Sequence, residues 1–91
     1  FRLANPDADT DAAIQAVGYQ MLKMGSVQPA VALLKQNASD HSRSPGAAFG
    51  LARALKSAGE CETAKREFGR ALELDPSYKR AAEALKTLEC R

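Results

Sequence analysis

The hydrophobic residues of this 91-residue chain recur at helical spacing in five separate stretches. In the first stretch, from about Asp9 to Gly25, apolar positions follow one another at intervals of one, three and four, which predicts an amphipathic helix. The residues that form its predicted apolar face are Ala13, Ile14, Val17, Met21 and Met24. Residues 1–8 lack this period and are predicted to be a lead-in or the remnant of a linker.

Local signals for helix starts and ends define the second and third helices. Ser26 is predicted to cap the second helix, and the polar segment 37–44 is predicted to be a turn. Ser44 followed by Pro45 is typical of an N-cap with proline at the first helical position, and the third helix is predicted to end at Gly59.

The same signals place two more helices in the C-terminal part. The fourth is predicted to begin near Glu60, and Asp75 with Pro76 repeats the cap-then-proline signal before a fifth helix over 77–91. Short connections predict that neighbouring helices are antiparallel. Composition supports an all-α protein, because 18 residues are alanine while valine, isoleucine and threonine together supply only seven, too few for a sheet core.

Charge and side-chain chemistry exclude several classes of function. The net charge of +2, with no basic cluster longer than two residues, argues against a nucleic-acid partner. The longest apolar run, 30–34, is far shorter than a membrane span. His41 is the single histidine and lies in a predicted turn, so neither a catalytic constellation nor a metal-ligand set is expected, and no cofactor is predicted.

The chain matches itself at a shift of 34 residues without a gap. Gly25 aligns with Gly59, where each helix pair is predicted to turn, and Ala30 aligns with Ala64. Further matches join Gly18 with Ala52, Met21 with Leu55, Leu34 with Phe68, and Ala13 with Ala47 and Ala81. A period between about 20 and 50 residues is typical of proteins built from stacked structural repeats.

In this register the sequence resembles the tetratricopeptide repeat (TPR) family. The unit over 45–78 carries the residues typical of the family at Ala52, Gly59, Ala64, Phe68, Ala71 and Leu74-Asp75-Pro76. The unit over 11–44 keeps Gly18, Gly25 and Ala30 and departs from the family at Leu34, Asn37 and Ser42. The resemblance implies an all-α fold of antiparallel helix-turn-helix repeats. Two units and a capping helix over 77–91 would form a right-handed superhelical array, a solenoid, within a single domain over 9–91.

The resemblance also implies a concave groove lined by the first helix of each unit. Carried over residue by residue, this groove presents Gln15, Tyr19, Lys23, Phe49, Arg53, Lys56, Arg80, Glu83 and Thr87. Tyr19 and Phe49 lie off the predicted core faces of their helices, which fits contact with a partner or packing between adjacent helices. Four of the nine residues are cationic, which fits an acidic ligand or a solvated surface.

These residues predict a non-enzymatic protein–protein interaction module. It would bind a partner peptide or protein segment, acidic in view of the groove charge, or scaffold a larger assembly. At the positions where chaperone-binding relatives hold a terminal carboxylate, Arg80 alone fits the family, so chaperone tails are not the expected ligand. Self-association through the exposed end of the repeats is a further expectation. RNA binding, with a steep salt dependence, is a third hypothesis.

An alternative is a C-terminal accessory domain of a larger enzyme such as a hydrolase. The chain begins with Phe1 rather than methionine, so we expect it to be a piece of a longer protein.

The two cysteines lie equally far from the predicted turn at residues 75–76. If the fourth and fifth helices form an antiparallel hairpin, Cys61 and Cys90 face each other, which predicts a disulfide between them. A disulfide would favour a periplasmic or secreted location, whereas two reduced thiols would favour the cytoplasm.

Overall fold

Five α-helices form the part of the chain that the computed structural model describes, residues 6–88, with side chains described from residue 11 onward. They are α1 (Pro6–Lys23), α2 (Val27–Asp40), α3 (Pro45–Ser57), α4 (Cys61–Leu74) and α5 (Lys79–Thr87). Residues 6–88 contain no β-strand, which confirms the all-α prediction. No helix in this range is long and apolar enough to cross a membrane.

Two glycines end α1 and α3 with the same backbone geometry. Gly25 has φ +85° and Gly59 has φ +84°, in the left-handed region that glycine adopts without steric cost. In each turn the glycine N–H donates to the carbonyl three residues back, at 3.1 Å, and the next N–H donates to the carbonyl five residues back, at 2.8–2.9 Å. These bonds satisfy carbonyls at the helix end, and the chain can reverse within a few residues.

The predicted caps are partly correct. The Ser44 hydroxyl accepts a hydrogen bond of 3.1 Å from the Ala47 N–H, with Pro45 at the first helical position, which confirms the start of α3. Ser26 occupies the N-cap position of α2, but its hydroxyl makes no capping hydrogen bond, so its predicted capping role is wrong.

The predicted start of α5 also differs from the structure. Tyr78 is the N-cap residue and the helix runs over Lys79–Thr87, so residues 77 and 78 are not helical. Residues 89–91 of the predicted helix over 77–91 lie outside the described residues. Asp75 stabilises the preceding turn, because its Oδ1 accepts from the Ser77 N–H at 3.1 Å and from the Ser77 hydroxyl at 2.7 Å. Because the Asp75 carboxylate accepts hydrogen bonds from the turn, it is not the N-cap of α5.

Two other boundaries are corrected. α1 begins at Pro6, so residues 6–8 belong to a helix rather than to the predicted lead-in. α2 continues to Asp40, so residues 37–40 are helical rather than part of a turn. The polar residue Asn37 is 1% exposed and bonds to α1, so tertiary contact outweighs its turn preference.

The core centres on α3, which contacts α1, α2 and α4, while α5 packs on α4. Alanine dominates this core, with Leu34 and Phe68 as its largest fully buried apolar side chains. Eight of the 13 residues of α3 are buried: Ala47, Ala48, Phe49, Gly50, Leu51, Ala52, Ala54 and Leu55.

On α1 the predicted apolar face is partly wrong. Val17 is 53% exposed and Met24 is 68% exposed. The helix instead turns Gly18 toward α2, where a Cβ atom would lie 2.7 Å from Cγ of Leu34. A glycine at this contact lets the two helices approach closely. Ile14 of the predicted face and Leu22 pack against the core beside it.

Candidate functional site

Tyr19 of α1 meets cationic and aromatic side chains of α3 and α5 on one surface. We call the predicted groove to which this surface belongs the cationic face. We define it by the nine residues of the predicted groove, Gln15, Tyr19, Lys23, Phe49, Arg53, Lys56, Arg80, Glu83 and Thr87. Four of these residues, Tyr19, Arg53, Phe49 and Arg80, form one continuous stack of rings and guanidinium groups. The Arg53 guanidinium carbon lies 4.7 Å from the ring centre of Tyr19 and 5.9 Å from that of Phe49, and that of Arg80 lies 4.9 Å from Phe49.

Phe49 is the centre of this stack but is not exposed. Its side chain is 4% exposed and packs edge-on against Phe68, with ring centres 5.6 Å apart. The Tyr78 ring is tilted by 35° against it, with ring centres 5.3 Å apart. Its predicted position off the core face of its helix is therefore wrong, because α3 is covered on several sides. Of the two interpretations of this aromatic, the structure favours packing, and its role at the surface is to support the arginines.

Tyr19 is half-buried between α1 and α3. Its hydroxyl oxygen lies 3.2 Å from the position that a Cβ atom would take on Gly50, so the ring crosses onto α3. Burial raises the pKa of the Tyr19 phenol above its ordinary value, and the positive charges of Arg53 and Arg80 offset only part of that rise. The ring thus stays neutral at physiological pH and offers its face to the Arg53 guanidinium.

No carboxylate of residues 11–88 lies within 4.0 Å of the cations of this face. Lys23, Arg53, Lys56 and Arg80 are all exposed. Within residues 11–88 the one ion pair closer than or at 4.0 Å joins Arg70 to Glu67, on α4. The guanidinium groups of Arg53 and Arg80 lie against aromatic rings instead. Arg53 also interacts with the Tyr19 hydroxyl. A guanidinium has five N–H donors, so one such contact leaves others for a ligand.

The remaining predicted groove residues contribute less. Gln15 is half-buried and donates to Asp11 Oδ1 at 2.9 Å, so its amide is already engaged. Glu83 is exposed and is the one acidic residue of the face. The Thr87 hydroxyl donates to the Glu83 carbonyl at 3.1 Å, so it bonds within its own helix.

A cavity of about 330 Å³ lies between α3 and α5. It is lined by Phe49, Arg53, Lys56, Ser57, Phe68 and Ala84. Three of these residues are apolar, and the other three are exposed at its edge. Small-molecule and side-chain sites commonly combine an apolar interior with a few polar groups at the rim.

A second polar cluster joins the first three helices and was missed by the sequence patterns. Asp11 is 7% exposed, and its carboxylate accepts from Asn37 Nδ2 at 2.7 Å, from Gln15 Nε2 at 2.9 Å and from the Ser44 hydroxyl at 2.5 Å. Burial raises the pKa of Asp11, but the three hydrogen bonds and the charge of His41 outweigh burial, and the pKa lies below its ordinary value. The sequence has three acidic residues near the start of α1, Asp7, Asp9 and Asp11, and nothing in their spacing singles out Asp11.

The cysteine prediction is met in part by the structure. Cys61, at the start of α4, is disulfide-bonded. Cys90 lies outside the described residues, so its pairing with Cys61 stays a prediction. Within the described part of the chain, no group of three or more His, Cys, Asp or Glu side chains could hold a metal ion.

No protein-family model matches this chain, and no curated protein matches it either. The geometry of the cationic face and its cavity therefore carries the functional argument.

Proposed function

We propose that this protein is a helical-repeat binding module whose cationic face recognises a segment of a partner protein. The module has no catalytic role in this proposal. The observation that carries it is the pair of arginines, Arg53 and Arg80, which lie on aromatic rings without a carboxylate of the described residues within 4.0 Å.

Helix boundaries support the repeat part of the proposal. α2 and α4 begin and end 34 residues apart, as do the starts of α3 and α5 and the ends of α1 and α3. The positive-φ glycines, Gly25 and Gly59, have the same spacing and the same turn geometry. Burial follows the same period, because Ala30 and Ala64 are both fully buried. An array of two TPR-like units closed by α5, which we propose to be right-handed, accounts for these spacings.

Charge distribution supports the binding part. The whole chain has a net charge of +2, yet four cations and one acid occupy the nine residues of the cationic face. An arginine that is already ordered by ring contacts loses less side-chain entropy on binding than a freely rotating lysine. Pre-ordered arginines beside aromatic rings are also the residue types that contribute most at protein interfaces.

Affinity capture from a lysate of the source organism tests the proposal. Quantitative mass spectrometry would compare the wild-type protein with the double variant Arg53→Glu with Arg80→Glu. The matched control is Lys65→Glu with Arg66→Glu, which makes the same change in net charge on exposed positions of α4.

We expect the first double variant to lose the specific partner and the control to retain it. Circular dichroism would check that both variants keep the helical content of the wild type. Equal partner recovery by all three proteins would contradict the proposal and would direct attention to the other faces of the helices.

A further inference from the structure

The cavity between α3 and α5 has the build of a side-chain pocket within the cationic face. Phe49 and Ala84 form apolar walls, and Phe68, which has no exposed surface, closes the space behind them. Arg53 and Lys56 lie three residues apart on α3, so their side chains leave the helix on the same side. Both side chains line the cavity and are exposed, with the Arg53 guanidinium on the Tyr19 and Phe49 rings. Long basic side chains commonly bury their methylene stems while the charged end stays accessible.

The rim selects for negative charge. Arg53 is positioned by the Tyr19 and Phe49 rings, and no carboxylate of the described residues lies within 4.0 Å of it or of Lys56. A guanidinium group presents parallel N–H donors that fit the two oxygens of a carboxylate. A ligand that fits both parts of the site therefore carries an apolar group directly beside an anionic group.

We infer that this cavity binds a leucine-sized side chain of an extended acidic peptide, and that carboxylates next to that side chain pair with Arg53 and Lys56. This inference rests on the proposed function, since it names the chemistry of the partner segment. It distinguishes an acidic segment with an apolar anchor from a segment that is only acidic.

Two other occupants fit less well. Single-stranded nucleic acid is held mainly by stacking of bases on accessible aromatic faces. Here Phe49 is buried and the Tyr19 ring is covered by the Arg53 guanidinium, so neither ring offers a clear face to a base. A second copy of this chain, with a net charge of +2, offers no charge complementarity to a cationic rim.

The test uses a fluorescent 12-residue peptide in which one leucine has two aspartates on each side and the other residues are glycine and serine. One comparison peptide replaces the leucine by serine, and the other replaces the aspartates by asparagine. Fluorescence anisotropy with the full chain would give the Kd of each. We expect each comparison peptide to bind at least about tenfold more weakly, because each removes one of the two recognition elements.

Protein variants separate the two elements further. Arg53→Glu with Lys56→Glu is expected to weaken binding about tenfold or more, while Lys65→Glu with Arg66→Glu stays within about twofold of the wild type. Ala84→Leu places a larger side chain in the cavity and should reduce the preference for leucine over serine while leaving the dependence on aspartate. If Ala84→Leu does not fold, Ser57→Leu at the exposed edge of the same cavity serves the same purpose.

Several results would overturn the inference. One is equal affinity for the leucine and serine peptides, which would reduce the site to a charged surface. Another is displacement of the peptide by single-stranded RNA in a competition experiment. A third is self-association of the chain, detected by sedimentation, that displaces the peptide. If no peptide binds, yet Arg53→Glu with Arg80→Glu still abolishes lysate capture, the acidic-peptide inference fails and the proposed function stands. Unchanged lysate capture would instead contradict the proposed function itself.

Discussion

Replacing Gly18 by alanine tests how closely α1 and α2 approach. The added Cβ would lie 2.7–2.8 Å from three carbons of Leu34, a side chain with no exposed surface. Alanine favours a helix interior over glycine by about 0.5–1 kcal/mol. Overpacking of a core contact costs about 1–3 kcal/mol. We therefore expect Gly18→Ala to destabilise the protein by up to about 2 kcal/mol, despite the gain in helix propensity.

Gly69→Ala is the matched control for this substitution. Gly69 also lies inside a helix, α4, but nothing lies within 4 Å of the Cβ that alanine would add there. The control should gain about 0.5–1 kcal/mol from helix propensity alone. The two alanine variants should thus differ by about 1–3 kcal/mol, with opposite signs relative to the wild type.

Urea denaturation followed by circular dichroism at 222 nm would measure both free energies of unfolding. In a domain of this size, each kcal/mol corresponds to about 4–8 °C in Tm, so the difference is also visible in thermal melts. The double variant Gly18→Ala with Leu34→Ala should show a favourable coupling of about 1 kcal/mol, because the smaller side chain makes room for the new Cβ. Equal stabilisation by Gly18→Ala and Gly69→Ala would refute the close contact between α1 and α2.

Three further predictions concern the core, the buried carboxylate and the disulfide. Ala64→Leu should cost about 1–3 kcal/mol, since Ala64 is fully buried, and an unchanged Tm would count against the packing described for α4. Asp11→Asn should destabilise the protein at pH 7 by about 1–3 kcal/mol. Because the folded-state pKa of Asp11 is lowered, the difference in unfolding free energy is present above its ordinary pKa and shrinks as the pH falls through the lowered value. Urea titrations from pH 7 to pH 2 would detect this change. A difference that does not depend on pH would contradict the lowered pKa of Asp11. Cys61→Ser with Cys90→Ser should cost about 3–4 kcal/mol through loss of a closed loop of roughly 30 residues. A thiol assay on denatured, unreduced wild-type protein is its check, and two reactive thiols would rule out the predicted pairing.

The ends of α1 and α3 and the start of α3 were predictable because they depend on local chemistry. Positive φ at Gly25 and Gly59 follows from the lack of a Cβ, and the start of α3 follows from the Ser44 hydroxyl and the fixed φ of Pro45. These features act within one turn of helix, so the sequence alone carries the necessary information.

The wrong predictions arose where distant residues decide the outcome. Segment 37–40 has the polar composition of a turn, but Asn37 donates to a carboxylate on α1, and α2 continues through it. In an alanine-rich helix, small residues occur on both the buried and the exposed face. Periodicity therefore did not reveal that Val17 faces solvent while Gly18 faces α2.

The candidate site shows the same division. The residue types of the cationic face and their placement on α1, α3 and α5 were available from the sequence. The burial of Phe49 was not, because α3 is covered by three other helices and its periodicity cannot indicate a single core face. The contribution of Tyr78 was also missed, since its ring reaches Phe49 from the connection before α5. The cavity depends on the space between two helices that are far apart in sequence.

The central claim is that the surface formed by α1, α3 and α5 binds the partner. The most direct measurement is an amide chemical-shift map of ¹⁵N-labelled protein, recorded with and without the partner recovered by lysate capture. The largest changes are expected at and around Tyr19, Arg53, Lys56 and Arg80, with little change on the exposed side of α4. Changes concentrated on α2 and α4, with the cationic face unaffected, would contradict the claim.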